Sequence, residues 1–173
     1  YVADYQSGLA IIDISDKANP GAPVYMDTSG RSVGVTVVGN YAYVADYQSG
    51  LAIIDISDKA NPGAPVYKDT SGYAHDVTVV GNYAYVANGD SGLAIIDISD
   101  KTNPGTPVYK DTSGYAYGVT VLGNYAYVAD YASGLAIIDI TDPTNPGTPV
   151  YMDTSGSATR IKVVSASSFA SAT

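Results

Sequence analysis

Few side chains in this sequence could carry out catalysis. It contains one histidine, His75, and no cysteine, and all seventeen acidic residues are aspartates. A Ser–His–Asp arrangement would have to combine His75 with Asp76, but neighbouring residues of a strand point to opposite faces. The other aspartates recur by repetition, and nothing in the sequence marks one of them as a buried acid with a raised pKa. We therefore predict that the protein is not an enzyme and that it needs no cofactor.

Polar and aromatic side chains vary at one place in a chain that otherwise repeats itself. Units of 42 residues start near residues 1, 43, 85 and 127, and their differences concentrate where the first strand of each predicted unit begins. Such side chains would converge on a small-ligand pocket at the mouth of a central channel. The alternative is that these positions face solvent and tolerate change. The candidate pocket residues are Arg31, Tyr73, His75, Asp76, Tyr115, Tyr117 and Arg160.

The loop between the second and third strands of each unit is a second candidate surface. Three of the four units carry a tyrosine there, at Tyr5, Tyr47 and Tyr131. Tyrosine offers a broad contact surface with one polar group, so these side chains are candidates for binding a carbohydrate or a protein. The alternative is that each ring lies over the neighbouring unit.

Oxygen-bearing side chains recur in the turn after the third strand. Asp13, Asp16 and Asn19 have copies in the following unit, and carboxylate and amide oxygens suit Ca²⁺. Their spacing is not that of an EF-hand, and Asp and Asn commonly cap turns. We therefore predict turn caps and no metal site.

Four short strands are predicted in each unit, as the second unit illustrates. They are residues 32–38, 41–45, 51–56 and 65–69, with a two-residue turn at Gly39-Asn40 between the first pair. The third strand is apolar on both faces, so it must be covered from both sides. No stretch shows helical spacing of apolar residues, and neighbouring units must therefore supply the cover. The pattern predicts an all-β protein, a β-propeller whose 42-residue units are four-stranded blades.

Residues 9–20 read LAIIDISDKANP, and copies start at Leu51, Leu93 and Leu135. An apolar run that ends in Asp and is followed by a Ser-Asp and Asn-Pro turn resembles the LVIVD-repeat family. The resemblance implies a β-propeller, often on a secreted or cell-surface protein, and it names no enzyme activity. The chain has Ala as the second residue of the run, and in three units Lys replaces a common proline, which the fourth unit has at Pro143.

The chain holds four blade equivalents within residues 1–164, and the assembly of these blades is open. Residues 159–164 resemble one more first strand, and pairing with residues 1–4 would close a four-blade ring. The alternatives are half of an eight-blade dimer and an open assembly in which one chain completes a blade of the next. Residues 165–173 resemble a degenerate copy of residues 123–129, with Phe169 in place of a tyrosine.

Composition and charge narrow the possible partners. The formal net charge is −9, which argues against binding to nucleic acid, and no apolar run is long enough to span a membrane. Because the chain starts without Met inside a unit, we expect it to be a processed or excised piece of a longer protein, or a sequence deduced in part. A composition rich in Tyr, Gly, Ser, Thr and Asp predicts an extracellular or cell-surface location. We predict a non-catalytic scaffold for protein interaction or self-assembly; the alternatives are a propeller that binds a small ligand, a glycan or a metal, and a filament-forming subunit.

Overall fold

Four antiparallel sheets follow one another along the chain in the computed structural model, which describes residues 1–164. In each sheet the strands pair in chain order. The first sheet has three strands and the other three have four, so the all-β prediction and the four-stranded unit are confirmed. The strands are β1 (Val2–Ala3), β2 (Leu9–Ile11), β3 (Val24–Met26), β4 (Gly34–Val38), β5 (Tyr41–Ala45), β6 (Leu51–Asp55), β7 (Val66–Lys68), β8 (Asp76–Val80), β9 (Tyr83–Ala87), β10 (Leu93–Asp97), β11 (Val108–Lys110), β12 (Gly118–Leu122), β13 (Tyr125–Ala129), β14 (Leu135–Asp139) and β15 (Val150–Met152).

Turn chemistry sets the limits of these strands. Gly39 has a φ of 57°, as the tight turn between β4 and β5 requires. Apart from its chain neighbours, no heavy atom of the described residues lies within 4 Å of the position that a Cβ would take there. After the third strand, the carboxylate of Asp16 accepts hydrogen bonds from the backbone of Ala18 and from Asn19. The carboxylate of Asp13 accepts one from Ser15 N–H at 2.9 Å. The prediction that these polar residues cap a turn is confirmed.

The hydrophobic core lies between consecutive sheets. Alternate residues of a strand point to opposite faces, so each middle sheet packs on the sheet before it and on the sheet after it. In the second sheet, Val44 and Ile54 pack towards the first sheet, whereas Tyr43 and Ile53 pack towards the third. We call the face towards the preceding sheet the leading face and the opposite one the trailing face. Neighbouring blades therefore cover each other, as the sequence predicts.

The first strands of successive blades lie side by side along the inner edge of the array. The hydroxyl of Thr36 donates to Val77 O at 2.8 Å, and Thr78 repeats the bond to Val119 O at 2.9 Å. The strands approach so closely that a Cβ on Gly34 would lie 3.0 Å from the Cα of Asp76. These hydrogen bonds fix the position of each inner strand relative to the next.

Residues 159–164 form no strand, and they do not pair with residues 1–4 within the described part of the chain. Of the three assemblies that the sequence leaves open, the self-closed four-blade ring is therefore not formed by residues 1–164. Ala158 bridges to Tyr131 in the fourth blade, as the equivalent residues do in the blades before it. This bridge holds the following residues beside β12, where a Cβ on Gly118 would lie 3.3 Å from the Cα of Arg160. The segment thus occupies the place of a further inner strand. The predicted tail, residues 165–173 with Phe169, lies outside the described residues.

A buried Asp or Asn side chain ties each link between blades to the blade that follows it. Asp46 has no exposed surface, and it accepts hydrogen bonds from Gly30 N–H at 2.8 Å and from the hydroxyls of Thr28 and Ser32 at 2.6 and 3.2 Å. Asp130 accepts the equivalent hydrogen bonds from Thr112 and Gly114 in the fourth blade. Its burial raises its pKa, and the hydrogen bonds oppose that rise.

Candidate functional site

A cavity of about 640 Å³ lies where the inner strands begin. It brings together four of the predicted pocket residues, His75, Asp76, Tyr117 and Arg160. They come from three different units, and the repeat places them at equivalent or neighbouring positions. The remaining lining residues are Val33, Gly34, Thr159 and Ile161.

Asp76 is held in place at this cavity by backbone amides. Its carboxylate accepts hydrogen bonds from Val77 N–H at 2.9 Å and from Val119 N–H at 3.1 Å, the latter in the next blade. Burial raises the pKa of Asp76, while these hydrogen bonds and the positive charge of Arg160 act in the opposite direction. The side chain thus presents a fixed, partly buried carboxylate next to a guanidinium group.

His75 contacts tyrosines of the following blade. Its Nε2 lies 3.1 Å from the hydroxyl of Tyr115, and its ring centroid lies 4.7 Å from that of Tyr117. Burial lowers the pKa of His75, which favours the neutral ring in this setting. The imidazole is therefore part of an aromatic cluster. Within residues 1–164 its hydrogen-bond partner is the hydroxyl of Tyr115 and not a carboxylate.

The three loop tyrosines share an unusual backbone conformation. Tyr5, Tyr47 and Tyr131 have φ values of 48°, 49° and 47°, which for a residue with a Cβ cost about 1 kcal/mol each. The third unit has Gly89 at this position, with a φ of 57°. A Cβ there would lie 2.9 Å from the ring of Tyr115, which covers the glycine. Tyr115 thus fills the space that a loop tyrosine occupies in the other units.

Each loop tyrosine contacts a residue that the sequence assigned to the pocket. The rings of Tyr47 and Tyr73 stack with centroids 4.4 Å apart. The guanidinium of Arg31 lies 5.3 Å from the ring centroid of Tyr5 and 5.7 Å from that of Tyr47. The two predicted surfaces therefore form one continuous surface, which we call the aromatic arc. It comprises Tyr5, Arg31, Tyr47, Tyr73, His75, Tyr115, Tyr117 and Tyr131.

Sequence reasoning did not single out the buried polar residues Asp46, Asn88 and Asp130. Their signal was a repeated Asp or Asn directly after the second strand, with Thr-Ser-Gly ahead of each blade. Both features looked like ordinary loop composition. The structure shows that they bond to each other across the link between blades.

The turn aspartates do not assemble into a metal site within residues 1–164. This part of the chain has no group of three His, Asp or Glu side chains placed to hold one ion. Hydrogen bonds from Ser15 lower the pKa of Asp13, and the side chain of Asn19 does the same for Asp16. Their oxygens therefore serve the turn itself. In the same residues, no helix has the length and apolar character needed to cross a membrane.

Tyr115 gives the arc a pH dependence at alkaline pH. Burial, together with nearby tyrosines and Asp90, raises its pKa from 10.0 to about 12. The unfolded chain then releases this proton first, so the contribution of Tyr115 to stability is complete below pH 10 and is lost towards pH 12. We expect Tyr115→Phe to lose less stability between pH 9 and pH 11 than the wild type in urea unfolding. An equal loss in both proteins would contradict the raised pKa.

The fold and the arc define a class of protein, a repeat array of propeller-like blades with one irregular rim. The sequence model of the LVIVD repeat matches the chain four times, at residues 1–28, 29–66, 71–108 and 113–154. These matches cover most of the chain, which belongs to the LVIVD repeat family. A search of curated proteins gave no match.

Proposed function

We propose that this protein is a non-catalytic scaffold, displayed outside the cell, that associates with further copies of itself through two sheet faces that no other sheet covers within residues 1–164. The observation that carries the proposal is the exposure of Ile14 on the first sheet. Ile14 is 64% exposed, whereas its equivalents Ile56, Ile98 and Ile140 are 3%, 1% and 5% exposed because each packs on the sheet before it.

The trailing face of the fourth sheet is the matching surface. Val150 and Met152 are 66% and 62% exposed there, whereas their equivalents Val24 and Met26 are partly buried against the second sheet. Leading and trailing faces already pack on each other three times within the chain. The leading face of a second copy can therefore pack on the trailing face of the first in the same way. Burying such apolar residues favours association.

Two further observations support a role without catalysis and a location outside the cell. Asp76 bonds to backbone amides while His75 faces tyrosines, so these two residues do not form a proton relay. The chain is rich in Tyr, Gly, Ser, Thr and Asp, a composition that resembles that of secreted or surface proteins, and the resemblance to the LVIVD-repeat family implies the same location. Protease treatment of intact cells that express the native protein tests the location, since an exposed scaffold is cleaved.

Self-association is tested by light scattering with size-exclusion chromatography. We expect the wild type to have a mass well above the 17.8 kDa of one chain, and Ile14→Asp to return it to that value. A charge buried in the contact without a partner opposes association. A mass of twice one chain indicates a closed pair, and longer species indicate an open, filament-like series.

Val80→Asp is the matched control for Ile14→Asp. Val80 is exposed, and its equivalents Val38 and Leu122 are equally exposed, so no blade packs on this position. We expect the control to associate like the wild type. A monomeric wild type, or the same loss of mass in both variants, would contradict the proposal.

A further inference from the structure

The columns in which the repeats differ in charge and aromatic character meet on one surface. Arg31, Tyr73 and Tyr115 occupy one column of the repeat, and Val33, His75 and Tyr117 occupy another. Positions that only tolerate change need not contact one another. Here the changed residues contact one another instead, from Tyr47 with Tyr73 to His75 with Tyr115.

The arc changes in character along its length. Towards the first blade, the rings of Tyr5 and Tyr73 are partly exposed to solvent, although Arg31 lies over Tyr5 and Tyr47 stacks on Tyr73. At the third and fourth blades it borders the cavity of about 640 Å³, which offers the carboxylate of Asp76 and the guanidinium of Arg160. Aromatic platforms next to a few fixed polar groups suit a ligand that has both an apolar face and many hydroxyls.

Three loops carry a tyrosine at a position where its backbone is strained and where glycine would not be. Glycine relieves the positive φ at this loop position, and the chain uses it at Gly89. Where glycine is present, Tyr115 brings a ring to the same place. All four loops therefore have an aromatic ring at this rim. Three have it on the loop residue itself, and at Gly89 it comes from Tyr115.

We propose that the aromatic arc and the adjoining cavity bind a neutral oligosaccharide. The sugar rings stack on the tyrosine faces, and their hydroxyls exchange hydrogen bonds with Asp76 and Arg160. A neutral chain is favoured over an acidic one because the Asp76 carboxylate offsets the charge of the neighbouring Arg160, Arg31 lies over the rings of Tyr5 and Tyr47, and the net charge of −9 repels an anion.

Calorimetric titration of the full chain tests this inference. The probes are cellohexaose and maltohexaose, both neutral, and a hyaluronan hexasaccharide as the acidic comparison. We expect saturable heat with at least one neutral probe and none with hyaluronan. Tyr47→Gly removes the central ring of the arc, and we expect it to weaken binding at least about tenfold.

The choice of variants separates binding from folding. Tyr47→Gly repeats the natural residue at Gly89, so it relieves positive φ and keeps the loop conformation. Tyr131→Gly is a second variant of the same kind. The control is Tyr125→Ala, which removes an exposed tyrosine from the far end of β13. We expect the control to bind as the wild type does.

Three results would overturn the inference: no heat with either neutral probe, binding of hyaluronan alone, or unchanged binding by both glycine variants. The inference is independent of self-association. Ile14 lies outside the arc, so Ile14→Asp is expected to bind the neutral probe with unchanged affinity even as a monomer. Ile14→Asp thus tests association, and Tyr47→Gly tests sugar binding, so failure of one proposal is distinguished from failure of the other.

Discussion

Replacement of Gly72 by alanine is expected to destabilise the protein by at least about 3 kcal/mol. A Cβ on Gly72 would lie 2.2 Å from the backbone carbonyl oxygen of Asn88 and 3.0 Å from the Oγ of Ser91. A carbonyl in the backbone of a buried blade cannot turn aside as the end of a long side chain can. The link between the second and third blades would have to move, which breaks the bond between Thr70 and Asn88. Thermal and urea unfolding, followed by circular dichroism, measures the loss.

Gly156→Ala is the control that the chain itself provides. Gly156 occupies the same position in its unit, but the nearest heavy atom to its Cβ would be Thr154 O at 4.0 Å. Its substitution is therefore expected to change stability by less than about 0.5 kcal/mol. If both alanine variants unfold alike, the close approach at Gly72 is not the cause. A neutral effect of Gly72→Ala would likewise contradict it.

The blades were predictable because their signals are local. Period-two alternation at residues 41–45 and the Gly39-Asn40 turn define a hairpin within a few residues, and β5 has the predicted bounds. The outer strand of this blade, β7, is shorter than predicted: it spans Val66–Lys68, whereas the sequence predicts residues 65–69. Proline lacks the N–H that a ladder needs, and it limits that strand at Pro65.

The sequence identified most residues of the site, but it did not show that they form one surface. Repeat columns identified Arg31 and His75, while loop composition identified Tyr47, but a column does not show that both sets point to the same rim. That relation depends on the bridge from Tyr47 to Ala74, which places the loop of one blade beside the start of the next. The place of residues 159–164 was left open for a similar reason. Strand character in residues 159–164 is local, whereas pairing with residues 1–4 depends on where four blades bring those residues.

Asp46→Ala is expected to be the second most damaging substitution, with a loss of about 3 kcal/mol or more. Alanine removes the acceptor of the Gly30 N–H and of the Thr28 and Ser32 hydroxyls, and because these hydroxyls lie 2.9 Å apart, only one of them can still donate to the other. Asp46 and Thr28 are buried, so water does not readily replace the lost bonds. Each buried donor left without an acceptor costs about 1–3 kcal/mol. Urea unfolding at neutral pH gives the free energy of unfolding for comparison with the wild type.

Asp46→Asn separates the hydrogen bonds from the shape of the side chain. The third unit carries Asn88 at this position, where its Oδ1 accepts from the hydroxyl of Thr70 at 2.7 Å. Within the described residues, its buried Nδ2 has no hydrogen-bond partner, so the amide replaces one of the two acceptor oxygens by a donor. We therefore expect Asp46→Asn to cost about 1–2 kcal/mol, clearly less than Asp46→Ala. Equal losses in the two variants would show that the negative charge, and not the number of acceptors, holds this link between the blades.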